Sequence, residues 1–567
     1  MQNYSNYENI TMVVSLLKEH NIRYIVISPG GTNMPFVKAV QDDPFFTCYS
    51  IVDERSAAYF AIGIYLETGE IVAMSCTSAQ ATRNYIPGLT EAFYKKVPLL
   101  AISMEKHPRF KYQDYMQAPD QASLPNDCVK KSFELPFISD KNDIMHSIRV
   151  INEAILELSR DGYGPVQLCI PWLDWKLDDI TPTVRCIKHY SITDSWDDVN
   201  LEGKKILIVI GEHRKFTNDE TKLIDRFCDG YNSAVYVNHL SNFHGKYAVN
   251  GSLSLISMKF EKFESEFAPD ILITFGGLTG DYPLYNTLSR IKLQNVEHWR
   301  ISLDGKVVDT YDKLTKVFQC DFNFFMTRME NGKQTSHEYF KLWYNEACSK
   351  KTDINVPFSN VYAAEKLHEI IPENSNINFA ILNSLRVWSF FDIHPSIKCF
   401  SNVGAFGIDG GISTMIGQSV VTDELCFMVV GDLSFYYDMN ALGIRHIKNN
   451  VRILLINNAG GVEFKMSGIN NKSIDRFIAA ANHFNNAEGW ATTCGFIYYS
   501  AHNKNEFNSY INMFVQKSDA PILFEIFVND IDDADAIRKL REDNSDFGLS
   551  DKIKTRAKNT IRKALKG

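Results

Sequence analysis

The sequence predicts an α/β protein of three successive units, each a largely parallel sheet flanked by helices. Short β-branched runs alternate with helix-length amphipathic segments along almost the whole chain. That pattern needs crossover connections and sheets covered on both faces. The chain has 567 residues, enough for three or four units with their own cores at about 100–200 residues each. Hydrophobic residues make up 45% and charged residues 22%, which is a globular composition and not a disordered one.

The first unit opens with residues 23–28 (RYIVIS) as a buried strand, the turn Pro29-Gly30-Gly31 and a helix from Pro35. Residues 71–76, 97–103 and 166–170 repeat the strand pattern, and the unit closes before the polar stretch 174–198. A second unit starts at residues 205–211 (KILIVIG) and continues through 270–277 and 299–304. Its Gly211-Glu212 and Gly276-Gly277-Leu278 read as ordinary strand ends, so this Rossmann-like unit is expected to carry no cofactor. The polar segment 331–355 reads as a linker, and a third unit has strands near 399–402, 426–430, 452–456 and 522–527. The expected boundaries are 1–185, 186–355 with the linker, and 356–567.

Lys and Arg number 59 against 68 Asp and Glu, a net charge of −9 that argues against a dedicated nucleic-acid binder. No apolar run reaches the roughly 18 residues of a membrane span. The 11 cysteines include no CxxC pair, and the first ten residues carry no secretory pattern. A reducing, cytoplasmic setting is expected, without a disulfide framework or zinc site. The tail 552–566 carries seven Lys/Arg and no acid. It reads as a solvated helix end, with a weak anionic-surface contact as the alternative.

The strongest chemical signal is Gly431-Asp432-Leu433-Ser434, directly after a strand, with 24 residues separating Asp432 from Asn457-Asn458 after the next strand. In a parallel sheet both ends open at the carboxyl edge, where ligands of open α/β sheets bind. Glycine permits close approach of a phosphate, and a helix start offers free N–H groups. Asp432 and the amide oxygen of Asn458 are hard ligands suited to Mg²⁺ shared with a diphosphate, and the carbonyls of Ala459-Gly460-Gly461 are placed to complete the shell.

This motif resembles that of thiamine diphosphate (ThDP) enzymes, a Gly-Asp followed by Asn-Asn. The leucine at position 433, in GDLSFYYDMNAL, is similar to the MenD (SEPHCHC synthase) family within them. The resemblance extends to Ser28-Pro29-Gly30, Asp53-Glu54-Arg55-Ser56, Thr77-Ser78, Gly164-Pro165-Val166 and Gly407-Ile408-Asp409-Gly410. It implies a three-domain ThDP-enzyme fold with pyrimidine-binding, central and diphosphate-binding domains, and ThDP with Mg²⁺ as cofactors. Glu54, at the mouth of a helix over 56–66, matches the glutamate that bonds the aminopyrimidine. Such a group needs an apolar site that raises its pKa. Ile408 matches the apolar prop under the cofactor, beside Gly407. Cofactor contacts then fall to Gly407, Ile408, Gly431, Asp432, Leu433, Ser434, Asn458 and Gly460, with Asp432, Asn458 and Gly460 on the metal. The resemblance further implies a homodimer or dimer of dimers with sites between subunits, so that a monomer is inactive.

At the substrate positions the chain departs from the family pattern. Gly31-Thr32 stand where Ser-Arg is usual, Trp388 and Val403 replace arginines, and Lys106 lies roughly where another arginine belongs. Gln117 is kept, and Glu463 occupies a position usually aliphatic. Bidentate arginine–carboxylate pairs are strong and specific. Their loss points to a small or neutral 2-oxo acid such as pyruvate, with Trp388 as an apolar pocket wall. Arg83 or Arg386 is the compensating cation if the donor is acidic. Gln117, Ser384 and Lys106 are expected to orient donor and acceptor, with Glu463 either an extra acid/base or an exposed loop acid.

The expected function is decarboxylation of a 2-oxo acid and transfer of the acyl unit to a carbonyl acceptor, by analogy a keto-sugar in surface-polysaccharide synthesis. The alternatives are a simple decarboxylase or acetolactate-synthase-like enzyme, a true SEPHCHC synthase, and a catalytically retired ThDP fold that binds a partner. A dinucleotide-dependent oxidoreductase is disfavoured, since no G-x-G-x-x-G follows any strand.

Overall fold

The computed structural model describes residues 7–159, 162–172, 188–292, 295–306, 308–311, 313–330, 332–333, 336–466, 483 and 485–545. The basic tail 552–566 lies outside them. The first sheet contains β1 (Tyr24–Ile27), β2 (Thr47–Ser50), β3 (Val72–Cys76), β4 (Leu99–Lys106), β5 (Ser132–Glu134) and β6 (Val166–Trp172), in the order β2-β1-β3-β4-β6-β5. The second contains β7 (Lys188–Ser191), β8 (Ile206–Ile210), β9 (Ser233–Val237), β10 (Ala248–Asn250), β11 (Ile271–Phe275), β12 (Glu297–Ile301) and β13 (Leu314–Gln319), in the order β10-β9-β8-β11-β12-β13-β7. The third contains β14 (Asn376–Phe379), β15 (Lys398–Ser401), β16 (Cys426–Gly431), β17 (Val451–Asn457), β18 (Ile497–Ala501) and β19 (Ile522–Phe527), in the order β15-β14-β16-β17-β19-β18.

Every pairing in the three sheets is parallel. The central strands are mostly apolar because helices cover both faces: all residues of β3, β4, β8 and β17 are buried, the charged Glu105, Lys106 and Arg452 among them. Among the described residues no helix is long and apolar enough to cross a membrane.

Three local expectations are corrected. The segment 331–355 is more than a linker, since it carries the helix Glu338–Cys348 with Tyr339 and Trp343 buried. Trp343 packs edge-on against Phe267 at 5.0 Å and joins Tyr236 and Phe263, so an outwardly polar helix is anchored by two aromatics. The polar stretch 174–198 contains β7, a short edge strand paired with β13 that has too few apolar residues to signal itself. Gly211 and Gly277 are also more than strand ends. A Cβ on Gly211 would lie 1.7 Å from the Gly277 carbonyl oxygen, so only glycine permits this backbone crossing beside β8 and β11.

The three units interlock. Tyr115 of the first stacks edge-on against Tyr285 of the second at 5.0 Å, and Gln113 accepts from the Asp309 N–H at 2.8 Å. Between the second and third, Asn242 exchanges two hydrogen bonds with the Cys399 backbone, and His239 Nε2 lies 2.8 Å from the Trp388 carbonyl.

Replacing Trp343 by Ala removes the anchor of helix Glu338–Cys348 and is expected to cost about 3–5 kcal/mol. Chemical denaturation followed by fluorescence and circular dichroism checks this; a change below about 1 kcal/mol would restore the linker description.

Candidate active site

Strands β16 and β17 are adjacent and in register, Gly431 opposite Ile456, so the chain leaves both at the same sheet edge. Gly431 caps the helix Asp432–Tyr437, whose first turn presents Asp432. That carboxylate is 2% exposed. Its Oδ1 accepts from the Leu433 N–H at 2.7 Å, and its Oδ2 accepts from the Gly460 N–H at 2.9 Å. His483 Nε2 lies 3.0 Å from the same Oδ2.

The two asparagines part ways because successive strand residues face opposite sides. Asn457 turns inward: its Nδ2 donates to Glu525 Oε1 at 2.7 Å and to the Asn485 carbonyl at 3.0 Å. Asn458 turns the other way, and its Nδ2 donates to Asp533 Oδ2 at 3.1 Å. Its Oδ1 is buried and has no partner. An orphaned buried acceptor beside a buried carboxylate calls for a cation, and both oxygens are hard donors. A Cβ on Gly431 would meet nothing within 4 Å, so the helix start is open to a phosphate. These residues fit a divalent metal with a diphosphate. The Gly460 N–H faces Asp432, a contact distinct from the carbonyl expected on the metal.

Glu54 comes from the first unit. The helix spans Glu54–Thr68, two residues earlier than expected, because Asp53 caps it by accepting from the Ser56 N–H. Burial pushes the Glu54 carboxyl up to about 7, against the opposing effect of a hydrogen bond donated by the Tyr437 hydroxyl. Tyr437 ends the helix that Asp432 begins, and it accepts from Asn84 Nδ2 at 2.7 Å. The resemblance implies that Glu54 serves the motif of a second chain; here both halves meet within one chain. Gly407 is required where they touch, since a Cβ there would lie 2.7 Å from that of Gln80. Ile408 packs half-buried against the main core, and its carbonyl accepts from Ser434 Oγ at 2.5 Å. Leu433 is half-buried beside it on the same helix.

Of the expected substrate residues, Gly31 is exposed with the Phe464 ring 3.6 Å from its Cβ position. Thr32 is buried, bonded to Thr77 Oγ1 at 2.7 Å and accepting from the Ser78 N–H at 2.9 Å. Lys106 is buried at the end of β4, its ammonium 5.9 Å from the Tyr115 ring centroid. Gln117 is half-buried with φ +61°, and Ser384 is buried.

Trp388 and Glu463 are corrected. Trp388 is 1% exposed within the main core and donates from Nε1 to Asn360 Oδ1 at 3.3 Å. It cannot be a pocket wall. Helix Asn383–Trp388 buries Ser384, Leu385, Val387 and Trp388, leaving Arg386 directed outward. Glu463 is neither a free acid nor an exposed loop residue, because Arg386 grips it with two hydrogen bonds of 2.7 and 3.1 Å.

Sequence reasoning missed Tyr437, His483 and Asp533. Tyr437 lies inside the motif stretch, five residues after Asp432, so helical spacing was available to find it. Asp533 is 75 residues from Asn458, in helix Asp530–Asp543, and only tertiary packing joins them. Burial raises its carboxyl to about 6, while the Asn360 N–H and Asn458 favour the ionised form.

Two outcomes are expected. Below about 4.5 Glu54 is protonated whether folded or unfolded; as pH rises to about 7 only the unfolded chain releases the proton, so this group's contribution to stability is lost. Glu54→Gln lacks that loss and should gain on the wild type by up to roughly 3 kcal/mol across the interval, read as a widening difference in Tm. Its catalytic rate should fall by about 100-fold or more. Asp533→Ala frees the Asn458 amide and should weaken Mg²⁺-dependent cofactor binding by about 10–100-fold, measured by calorimetry.

Residues 10–124 match the family model described as thiamine pyrophosphate enzyme, N-terminal TPP binding domain. The 2-succinyl-5-enolpyruvyl-6-hydroxy-3-cyclohexene-1-carboxylate synthase of Bacteroides thetaiotaomicron is 34% identical over 557 residues, covering 94% of this chain and 98% of that protein. The synthases of the same name from Phocaeicola vulgatus and Bacteroides fragilis are 33% and 32% identical, with the same coverage. With a sheet edge whose residues fit a divalent metal, a buried glutamate of raised pKa and full-length similarity in agreement, the chain belongs to the 2-succinyl-5-enolpyruvyl-6-hydroxy-3-cyclohexene-1-carboxylate synthase family of thiamine diphosphate enzymes, which use that cofactor with a divalent metal.

Proposed function

We propose that this protein decarboxylates a 2-oxo acid bearing a second carboxylate and joins the remaining acyl unit to an acceptor. The observation that carries this reading is Arg386. Its side chain is 14% exposed, and it is held in two-pronged contact with a carboxylate, that of Glu463. A neutral donor such as pyruvate loses its support, because Trp388 lies in the core. The product named for the relatives contains a succinyl group, which is what 2-oxoglutarate leaves after losing CO₂.

Bound ThDP with Mg²⁺ supplies the nucleophilic carbon and the electron sink for decarboxylation. Asp432 and Asn458 would hold the metal, and Gly431 and Gly460 would admit the diphosphate. Gly407, Ile408, Leu433 and Ser434 would line the cofactor's site. Glu54 keeps its proton up to about pH 7 and so offers a carboxylic acid to a ring nitrogen. Gly31, Thr32, Lys106, Gln117 and Ser384 are proposed to bound the substrates.

For the acceptor, the relatives' product implies a cyclohexadiene carboxylate. A second, less charged acceptor such as a keto-sugar is the other reading, and the absence of arginine at position 403 is what supports it, although Val403 itself is buried in the core. A plain decarboxylase would release an aldehyde with no acceptor present. Assembly as a homodimer or dimer of dimers is supported by the exposed apolar side chains Tyr49, Tyr59, Phe60 and Leu66, which cluster on and beside helix Glu54–Thr68. Mixing Glu54→Gln chains with Asp432→Ala chains tells whether sites are shared: recovered activity means two chains build each site, and none means one chain does.

Calorimetric titration should give saturable, Mg²⁺-dependent ThDP binding in the wild type and none in Asp432→Ala. CO₂ release should be at least about 10-fold faster with 2-oxoglutarate than with pyruvate. Equal rates, or release from pyruvate alone, would overturn the acidic-donor reading.

A further inference from the structure

Arg386 and Glu463 form a pair whose members are anchored very differently. Arg386 sits on a helix pinned by four buried residues, and its Nη1 also donates to Asn383 Oδ1 at 3.0 Å. Its side chain is 14% exposed, against 31% for Glu463. Glu463 opens the helical turn Glu463–Met466, directly after the Gly460-Gly461 turn. Separating the pair therefore moves the glutamate and leaves the guanidinium in place. A largely enclosed guanidinium without a carboxylate is strongly disfavoured, so the fork must be filled by one carboxylate or another.

The surroundings say which other carboxylate is available. Three residues before Glu463, the Gly460 N–H binds Asp432, so the pair adjoins the metal edge. One residue after it, Phe464 packs on the first unit's core and reaches the Gly31 position. Arg386 also lines, with Asp281, Tyr282, Leu385, Ser389 and Phe390, a void of about 20 Å³, room for about one water. The fork thus has a resident carboxylate, and a second one reaches it only by taking that place.

We propose that Glu463 is a built-in stand-in for the substrate's second carboxylate, occupying Arg386 until that carboxylate displaces it. This rests on the acidic-donor reading above. Exchange preserves both hydrogen bonds of the guanidinium and releases Glu463 into solvent. No bond is made or broken; one acceptor replaces another. A donor lacking the second carboxylate leaves Glu463 on the arginine, so the pair sets specificity by competition and not by a simple positive pocket. Because Phe464 is fixed to the first unit and Val462 is buried, the backbone stays at the seam between the Glu54 and Asp432 halves and the Glu463 side chain is what swings away.

The test compares Glu463→Gln with wild type in two readouts. The first is the ratio of KM for 2-oxoglutarate to KM for pyruvate. The second is calorimetric binding of glutarate, a dicarboxylate with no keto group to react, to the ThDP- and Mg²⁺-loaded protein. Replacing a charged competitor by a neutral amide should lower the KM ratio and tighten glutarate binding, each roughly 10-fold. Arg386→Met should abolish glutarate binding. Because Arg386→Met leaves Glu463 without its cation, Arg386→Met/Glu463→Met removes both charges and should also fail to bind. An unchanged glutarate affinity in Glu463→Gln, or glutarate bound by the double variant, overturns the proposal. If no 2-oxo acid is turned over yet glutarate binding tightens, the proposed reaction fails while the stand-in survives.

Discussion

Parallel pairing of β16 with β17 is the constraint on which the whole site depends. Neighbouring strands lie about 4.8 Å apart, and parallel direction makes both end at one edge. Asp432 and Asn458 meet there although 25 residues lie between them in the chain. Register matters as much as direction. A one-residue slip of β17 would exchange the faces of Asn457 and Asn458, turning the partnered amide toward Asp432 and the unpartnered oxygen away from it. Glu525 on β19 guards that register by holding Asn457 inward, together with Tyr498 and the Ala487 N–H on its other oxygen.

Two buried carboxyl groups do different work around that edge. Glu54 is enclosed by the meeting of the first and third units, and desolvation keeps its proton to about pH 7. Its environment exists only while Tyr437 and Asn84 join those units. Asp533 is enclosed within the third unit and accepts from the Asn458 amide, leaving the Asn458 oxygen without a partner. One group is a proton holder, the other a positioning residue, and burial is what separates both from ordinary surface acids.

On the substrate side, rotation about one short helix outweighs residue identity. Positions 386 and 388 lie two residues apart, about 200° around a helix. A tryptophan at 388 therefore says nothing about the polarity of the cleft, because that position faces the core. The arginine at 386 faces Glu463 instead. The glutamate at 463 departs from the family pattern, and only its contact with Arg386 shows that the two belong together.

Sequence alone determined the α/β class, the succession of three units and the chemistry of the cofactor edge. Those features rest on local rules: alternating periodicity, turn residues after strands, and hard oxygen donors at strand ends. Glu54 was singled out by the resemblance of its motif to thiamine diphosphate enzymes, since by local rules it is only a helix-start acid. Sequence alone misread 331–355, since two buried aromatics on a polar helix leave little periodic signal, and it misjudged Trp388 and Glu463. Tertiary structure decided those cases, as it decided the roles of Asp533, His483 and Tyr437. Which face a side chain presents, and what lies across from it, depends on packing between segments far apart in the chain, and no spacing rule encodes that.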